Sequence, residues 1–330
     1  MMSLPFASMF FPSGKQPSKG SLTVTDITPL AKSAKLELAE MIREDNLDRA
    51  NRMVESVNQR DSIYTRRGKR IIDILVALIA LLITLPINLA IAAITFFDVG
   101  RPILYKQTRV GKNGVPFKLI KFRNMTNETD ANGELIPPSE RVTKWGRFVR
   151  KTSLDELLNF WYIFNGTMSL IGPRPLQPVY LDRFNDRHKM RCAILPGLEC
   201  PNLTIKGRPM NWQERLDNDI WYVENCSFLV DVKLALRLIQ MVFSPKTSTV
   251  RGSVGYGTFM GYDSKGNIIN SKQVPDEYVN VYCMKHGYAS PEEAIDNRHR
   301  IPTLQVTDSP AVSGVISDFK PLKPSMCRLE

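Results

Sequence analysis

The sequence predicts an α+β chain, mostly helical, with a re-entrant membrane helix hairpin and a small cytosolic catalytic body. Three observations carry that expectation. No charged residue interrupts Ile74–Phe97, a run long enough for a bilayer-crossing helix, which needs about 20 apolar residues. Pro86 sits near the middle of the run, where its ring removes a helix hydrogen bond and bends the axis. Positive charge flanks both ends, with Arg66, Arg67, Lys69 and Arg70 before it and Arg101, Lys106, Arg109 and Lys112 after it. A single span carries that excess on the cytoplasmic side only. A helix that enters, kinks at Pro86 and returns to the same face meets all three observations. Thr84 and Asn88 flank the proline and offer partners to the freed backbone groups. An ordinary anchoring helix with a tolerated proline is the plainer alternative.

The totals narrow the function classes. At 330 residues the chain has room for about two average domains, and 43% hydrophobic content supports a packed core. A net charge of +11 suits anionic headgroups or phosphate-bearing substrates. Nucleic acid is the other usual partner of such charge, but the apolar run speaks against it. Five cysteines without CxxC spacing argue against a disulfide framework and a structural zinc site, and fit a reducing cytosolic face. The N-terminus lacks the basic start of a signal peptide, and Pro5 breaks its apolar stretch. His188, His286 and His299 are not at metal-binding spacing, so histidine chemistry has little to work with.

Taken in order, residues 1–67 read as an N-terminal extension, disordered over 1–29, with one helix within 30–60. Leu36, Leu38, Met41, Ile42 and Leu47 give that helix an apolar stripe, suited to lying on the body or to docking. Residues 68–110 hold the hairpin and its flanks. Residues 111–243 form the body. There Asn113-Gly114 marks a turn, and the alternation of 116–122 marks a strand. Lys118, Lys121 and Arg123 lie on or beside that strand, as a solvated face or as one turned to a diphosphate. Residues 128–142 read as a loop.

Ser153 and Glu156 have capping-box spacing, which predicts a helix from Ser153 as N-cap through Phe164. Asp155 then lies in the first turn, where free N–H groups and the helix dipole keep a carboxylate ionised, as a nucleophile or metal ligand must be. Arg150 and Lys151 just upstream fit phosphoryl transfer, although an acidic residue in a capped first turn is also commonplace. Pro173 and Pro175 stiffen the loop that presents Arg174, whose guanidinium suits phosphate. Residues 176–195 read as a basic amphipathic helix, Lys206-Gly207-Arg208 as a turn with two cations, and 212–225 and 228–243 as helices. Asp217-Asn218-Asp219 has the D-x-D form, but inside a helix its carboxylates splay apart. Residues 244–330 read as a C-terminal extension with a capped helix at Ser290–Ile295 and a disordered tail from 303. There is no internal repeat, P-loop or GxGxxG.

In order, these motifs are K-R-x-x-D before the proline-broken run, G-R-P-I-L-Y-K-Q-x-R-V-G-x-N-G, G-R-F-V-R-K-T-S-L-D-E-L, M-S-L-I-G-P-R-P-L and W-Y-V-E-N. Over roughly residues 68–243 the chain closely resembles the bacterial sugar transferases, monotopic phosphoglycosyl transferases that begin lipid-linked glycan assembly. The resemblance implies transfer of a phospho-sugar from a UDP-sugar to a polyprenyl (undecaprenyl) phosphate, with release of UMP. It implies Asp155 as the nucleophile that carries the phospho-sugar, with Glu156 and a Mg²⁺ ion held by Asp155 and Glu156 assisting. It implies phosphate binding by Arg150 and Arg174, and nucleotide-sugar binding by Lys121, Arg123 and Arg208. The implied location is the cytosolic face of a bacterial inner membrane, among membrane lipids, with no nucleic acid. A homodimer or downstream glycosyltransferases stay open as protein partners, and a catalytically silent membrane-attached scaffold is the alternative role. The chain departs from the family's usual pattern at Leu85-Pro86, at Leu158-Asn159, at Thr167, and between Gly197 and Arg208.

Overall fold

The computed structural model describes residues 23–129, 136, 138–205, 208–243 and 257–296. Residues 1–22 and 303–330, both expected to be disordered, lie outside the described residues, as do Lys206-Gly207 and residues 130–135 and 137 of the loop expected over 128–142. The disorder expected over 23–29 is corrected: Val24–Thr25 form a strand and Ile27 is fully buried, and the expected loop contains a short helix at Pro138–Arg141. Helices dominate, and the strands pair two by two, so the α+β expectation is met.

The apolar run forms one helix, α2 (Lys69–Val99), entered through a π-turn at Tyr64–Gly68. Pro86 lies inside it, and the chain does not divide into two separate helical arms. Thr84 Oγ1 donates to the Ala80 carbonyl at 2.7 Å, and Asn88 Nδ2 to Thr84 Oγ1 at 3.4 Å. Neither reaches the carbonyl of Leu82, the group that a proline at 86 leaves without its helical donor. The expected rescue of the freed backbone by Thr84 and Asn88 is therefore corrected. Only 11% of the most apolar window of α2 is buried, so its face is left to the surroundings. Both ends are nevertheless fixed to the body. Arg70 donates to the carbonyls of Ile163 and Phe164, and Asp73 accepts from Leu170 N at 3.0 Å. At the far end, Asp98 accepts from Thr143 Oγ1 at 2.6 Å, and Thr95 from Trp145 at 3.3 Å.

After α2, strand β3 (Pro116–Phe122) forms at the bounds expected for it, and it pairs antiparallel with β2 (Leu104–Val110), a strand within the stretch that was expected to flank the membrane run. The turn places Asn113 at φ 55, a left-handed value that Asn tolerates. A short helix α3 (Pro138–Arg141) precedes α4 (Lys144–Thr152), which Thr143 caps by accepting from Gly146 N. Helix α5 (Asn159–Asn165) packs on β3, where Tyr162 donates to the Lys118 carbonyl at 2.6 Å. Strands β4 (Ser169–Ile171) and β5 (Gly197–Glu199) pair in parallel. Residues 176–195 are not one helix. They break into a 3₁₀ segment at Pro178–Arg183, helix α6 (Asp186–Lys189) and a 3₁₀ turn at Met190–Cys192. The cause is Asn185, whose side chain accepts from His188 N and starts a new helix there. Helices α7 (Trp212–Asn225) and α8 (Phe228–Phe243) form as expected, α7 with a full Asn211–Glu214 capping box.

The two flanks meet. Strand β1 (Val24–Thr25) pairs with β8 (Val274–Pro275), and helix α1 (Lys32–Arg52) lies on the β6–β7 hairpin (Phe259–Tyr262 and Ile268–Asn270). With α9 (Asp276–His286) and α10 (Pro291–Asp296) they enclose one apolar core, in which Leu38, Ile42, Met260, Val274 and Val279 are fully or almost fully buried. A second cluster, of Ala50, Leu176, Phe184, Leu216, Phe259 and Tyr262, joins this unit to the body.

Candidate active site

The segment 144–156 builds the centre of the site. Helix α4 stops at Ser153, which takes a left-handed φ of 58. The chain then makes a 3₁₀ turn, Leu154–Glu156, before α5 begins. The expected capping box at Ser153 does not form, and Ser153 ends one helix instead of starting another. The Arg-Lys-Thr close of α4 competes for the same residues, and the backbone reversal at Ser153 settles the matter. Asp155 therefore owes its setting to neighbouring side chains more than to a helix dipole. Gly146 allows α4 to sit against the segment that follows β3, since a Cβ there would lie 2.1 Å from the Asn124 carbonyl oxygen.

Glu156 is the most tightly held group. Lys121 Nζ, from β3, donates to its Oε1 at 2.6 Å, and Arg174 donates to both oxygens, one of them at 3.1 Å. Burial pushes the Glu156 carboxyl up, but Arg174 and then Lys121 outweigh it and hold it well below the usual carboxylate range. Arg174 also donates to the Leu198 carbonyl at 2.9 Å and lies 3.8 Å from Glu199. Its own carbonyl accepts from Arg191, which is buried against Asp219. A close backbone crossing fixes this loop, because a Cβ on Gly197 would come within 2.2 Å of Gly172 N.

Asp155 is 7% exposed. Burial raises its carboxyl pKa, Lys121 opposes that rise, Glu156 adds to it, and Arg150 pulls it back. The structure brings Asp155, Glu156, Lys121, Arg123, Arg150 and Arg174 to one cavity of about 870 Å³. Arg208 is not among its lining residues and pairs with Glu214 at the start of α7. The lining also includes Arg141, Lys151 and Glu199, which the sequence reading did not assign to the site. Lys151 had a signal beside Arg150. Arg141 and Glu199 had none, because only the folded chain carries them there.

Six cations, namely Lys121, Arg123, Arg141, Arg150, Lys151 and Arg174, thus face three carboxylates across the cavity. That surplus suits a ligand with several phosphates. No group of three or more His, Cys, Asp or Glu side chains able to hold a metal occurs among the described residues. Both oxygens of Glu156 already accept from cations, whereas Glu199 is 3.8 Å from Arg174 and accepts from Cys200 N, so Asp155 is the carboxylate of the dyad able to ligate a metal. One carboxylate completed by substrate phosphates is an ordinary Mg²⁺ environment, so the residues present fit that ion through Asp155. The D-x-D triplet is structural: Asp219 pairs with Arg191, Asp217 accepts from Gln213, and Asn218 holds the Cys200 carbonyl.

Residues 64–245 match the family model described as bacterial sugar transferase. The chain is 38% identical over 175 residues to the uncharacterized sugar transferase EpsL of Bacillus subtilis, covering 53% of this chain and 86% of that protein. It is 31% identical over 184 residues to UDP-N-acetylgalactosamine-undecaprenyl-phosphate N-acetylgalactosaminephosphotransferase of Aeromonas hydrophila, covering 53% of this chain and 44% of that one. It is 30% identical over 194 residues to UDP-glucose:undecaprenyl-phosphate glucose-1-phosphate transferase of Klebsiella pneumoniae, covering 54% and 41%. The chain therefore spans less than half of the Aeromonas and Klebsiella proteins.

Proposed function

This chain belongs to the bacterial sugar transferase family, and from that premise we propose that it transfers a phospho-sugar from a UDP-sugar to a membrane polyprenyl phosphate. The observation that carries the reading is Asp155, a buried carboxylate set among six cations in one cavity. The names of the Aeromonas and Klebsiella relatives supply the donor and acceptor classes.

In this reading an Asp155 oxygen attacks the phosphorus that bears the sugar. The bond from that phosphorus to the bridging oxygen breaks, and UMP leaves with that oxygen. An oxygen of the polyprenyl phosphate then attacks the same phosphorus, forms the diphosphate link and releases the Asp155 carboxylate. Arg150, Arg174 and Arg123 bind the phosphates. Lys121 pulls the Asp155 pKa down against burial and, with Arg174, fixes Glu156, which orients both cations. A Mg²⁺ ion bound through Asp155 and the substrate would neutralise phosphate charge.

We place the body on the cytosolic side of the inner membrane, with α2 dipping into the near leaflet. A straight helix would put Arg70 and Asp98 about 42 Å apart. Both are hydrogen-bonded to the same body, which supports a bend at Pro86.

The test is nucleotide release in detergent with Mg²⁺ and undecaprenyl phosphate across a panel of UDP-sugars. UMP is expected with one sugar, and Asp155→Asn should cut the rate by roughly 10³-fold or more. Release of UDP, or full activity in Asp155→Asn, would overturn the reading.

A further inference from the structure

A second cavity, of about 490 Å³, lies between the first turns of α2 and the face of α8. Ile72 and Val76 of α2 and Val232, Ala235 and Ile239 of α8 supply apolar walls. Its polar groups are largely paired with one another. Asp231 accepts from Lys69 Nζ and Tyr64 Oη, both at 2.6 Å, and from Tyr222. Asp73 accepts from Leu170 N through Oδ1, while its Oδ2 has no partner. Most of what the cavity offers a ligand is therefore hydrocarbon.

Ser153 and Glu156 line this cavity and the cation-rich one alike. The two cavities thus meet at the turn that carries Asp155. The outer lip is also apolar: Val76, Val232 and Ile239 are at least 39% exposed while lining the cavity. A hydrocarbon chain can enter from the side on which α2 exposes its own apolar face.

We propose that this groove holds the first isoprene units of the polyprenyl phosphate acceptor, with the phosphate passing the Ser153–Glu156 turn into the cation-rich cavity. The assignment rests on the proposed function for the identity of the acceptor and adds where its chain lies. A molecule that spans both cavities needs a phosphate at the end of a long hydrocarbon. The acceptor has one chain, and the cavity is one groove between two helices. A diacyl phospholipid would leave its second chain outside. The acceptor is thereby held with its phosphate beside the covalent intermediate, and its chain runs on into the bilayer beside α2.

The experiment is photo-crosslinking of the full chain in lipid nanodiscs with a polyprenyl phosphate analogue that carries a photoreactive group on its second isoprene unit. Crosslinks should map to α8 between Phe228 and Ile239 and be competed by undecaprenyl phosphate. They should persist in Asp155→Asn, so that failure of the chemistry and failure of the groove stay distinguishable. Ala235→Trp, and Val232→Trp at the lip, should each weaken labelling about tenfold. Both variants should still form the phospho-sugar adduct on Asp155 from a UDP-sugar alone. Crosslinks outside α2 and α8 would overturn the assignment, as would equal competition by phosphatidylglycerol or unchanged labelling in both folded tryptophan variants.

Discussion

Ser153 shows how one backbone angle sets the chemistry. Its left-handed conformation turns the chain out of α4 and drops Asp155 and Glu156 into the cavity. Glycine adopts that conformation without cost, whereas a β-branched side chain is a steric outlier there. Ser153→Gly should therefore keep activity and stability close to wild type. Ser153→Val should lose about 1–2 kcal/mol in urea unfolding, together with most of the UMP release. Site residues that sit in motifs, Asp155, Glu156, Arg150 and Arg174, were legible in the sequence. The turn that presents the dyad was not, because the Ser153–Glu156 spacing is shared by a capping box and by a reversal. Only contacts with β3 and the Arg174 loop decide between them.

The two carboxylates of the dyad respond oppositely to pH. Burial raises Asp155, so the folded chain holds that proton more tightly than the unfolded one, and ionising it costs stability as pH rises through the folded pKa. In the proposed reaction the anion is the nucleophile, so the acid limb of kcat/KM should lie above the ordinary Asp range. Lys121→Met removes the leading charge that opposes burial and should move that limb to higher pH. Glu156 is depressed by Arg174 and Lys121. Its stabilisation is present above the ordinary Glu range and is lost only as pH falls through the lowered pKa. Arg174→Met should bring that loss up toward the ordinary range, as an acid-unfolding series would show.

Among the elements, the crossing of β4 and β5 holds Arg174 in place. Gly172 and Gly197 touch through backbone atoms, and the next residue, Leu198, supplies the carbonyl that Arg174 binds. Gly197→Ala would push a methyl group onto Gly172 N and should cost about 1–3 kcal/mol, with activity falling in parallel. The glycines were visible in the sequence as motif members, but their contact joins positions 25 residues apart, which local pattern does not reveal. Helix α2 carries a similar lesson. Its length and apolarity were legible, while the hydrogen bonds of Thr84 and Asn88 went to other groups than those Pro86 frees.

At the scale of the whole molecule, the two flanks form one unit although more than 200 residues separate them. Lys285 and His286 of α9 reach Glu37 of α1, and Asn46 donates to Tyr278. The body grips that unit through Arg183, which donates to the Phe259 carbonyl, and through Trp212, which donates to the Gly257 carbonyl. Sequence reading treated the flanks separately, because long-range pairing leaves no local signature. Deleting residues 257–296 would uncover the buried face of α1, and the shortened chain should aggregate or melt at a lower temperature than the full chain. Tags at residue 60 and in the exposed turn at Lys265 should both be labelled from the cytosol only.

The central claim is that Asp155 carries the phospho-sugar. Intact mass spectrometry of the full chain mixed with its UDP-sugar and Mg²⁺, without acceptor, tests it most directly. The account predicts a mass gain of one phospho-sugar that maps to Asp155, is absent in Asp155→Asn, and disappears on adding undecaprenyl phosphate. An unmodified wild-type chain that still makes product would contradict it.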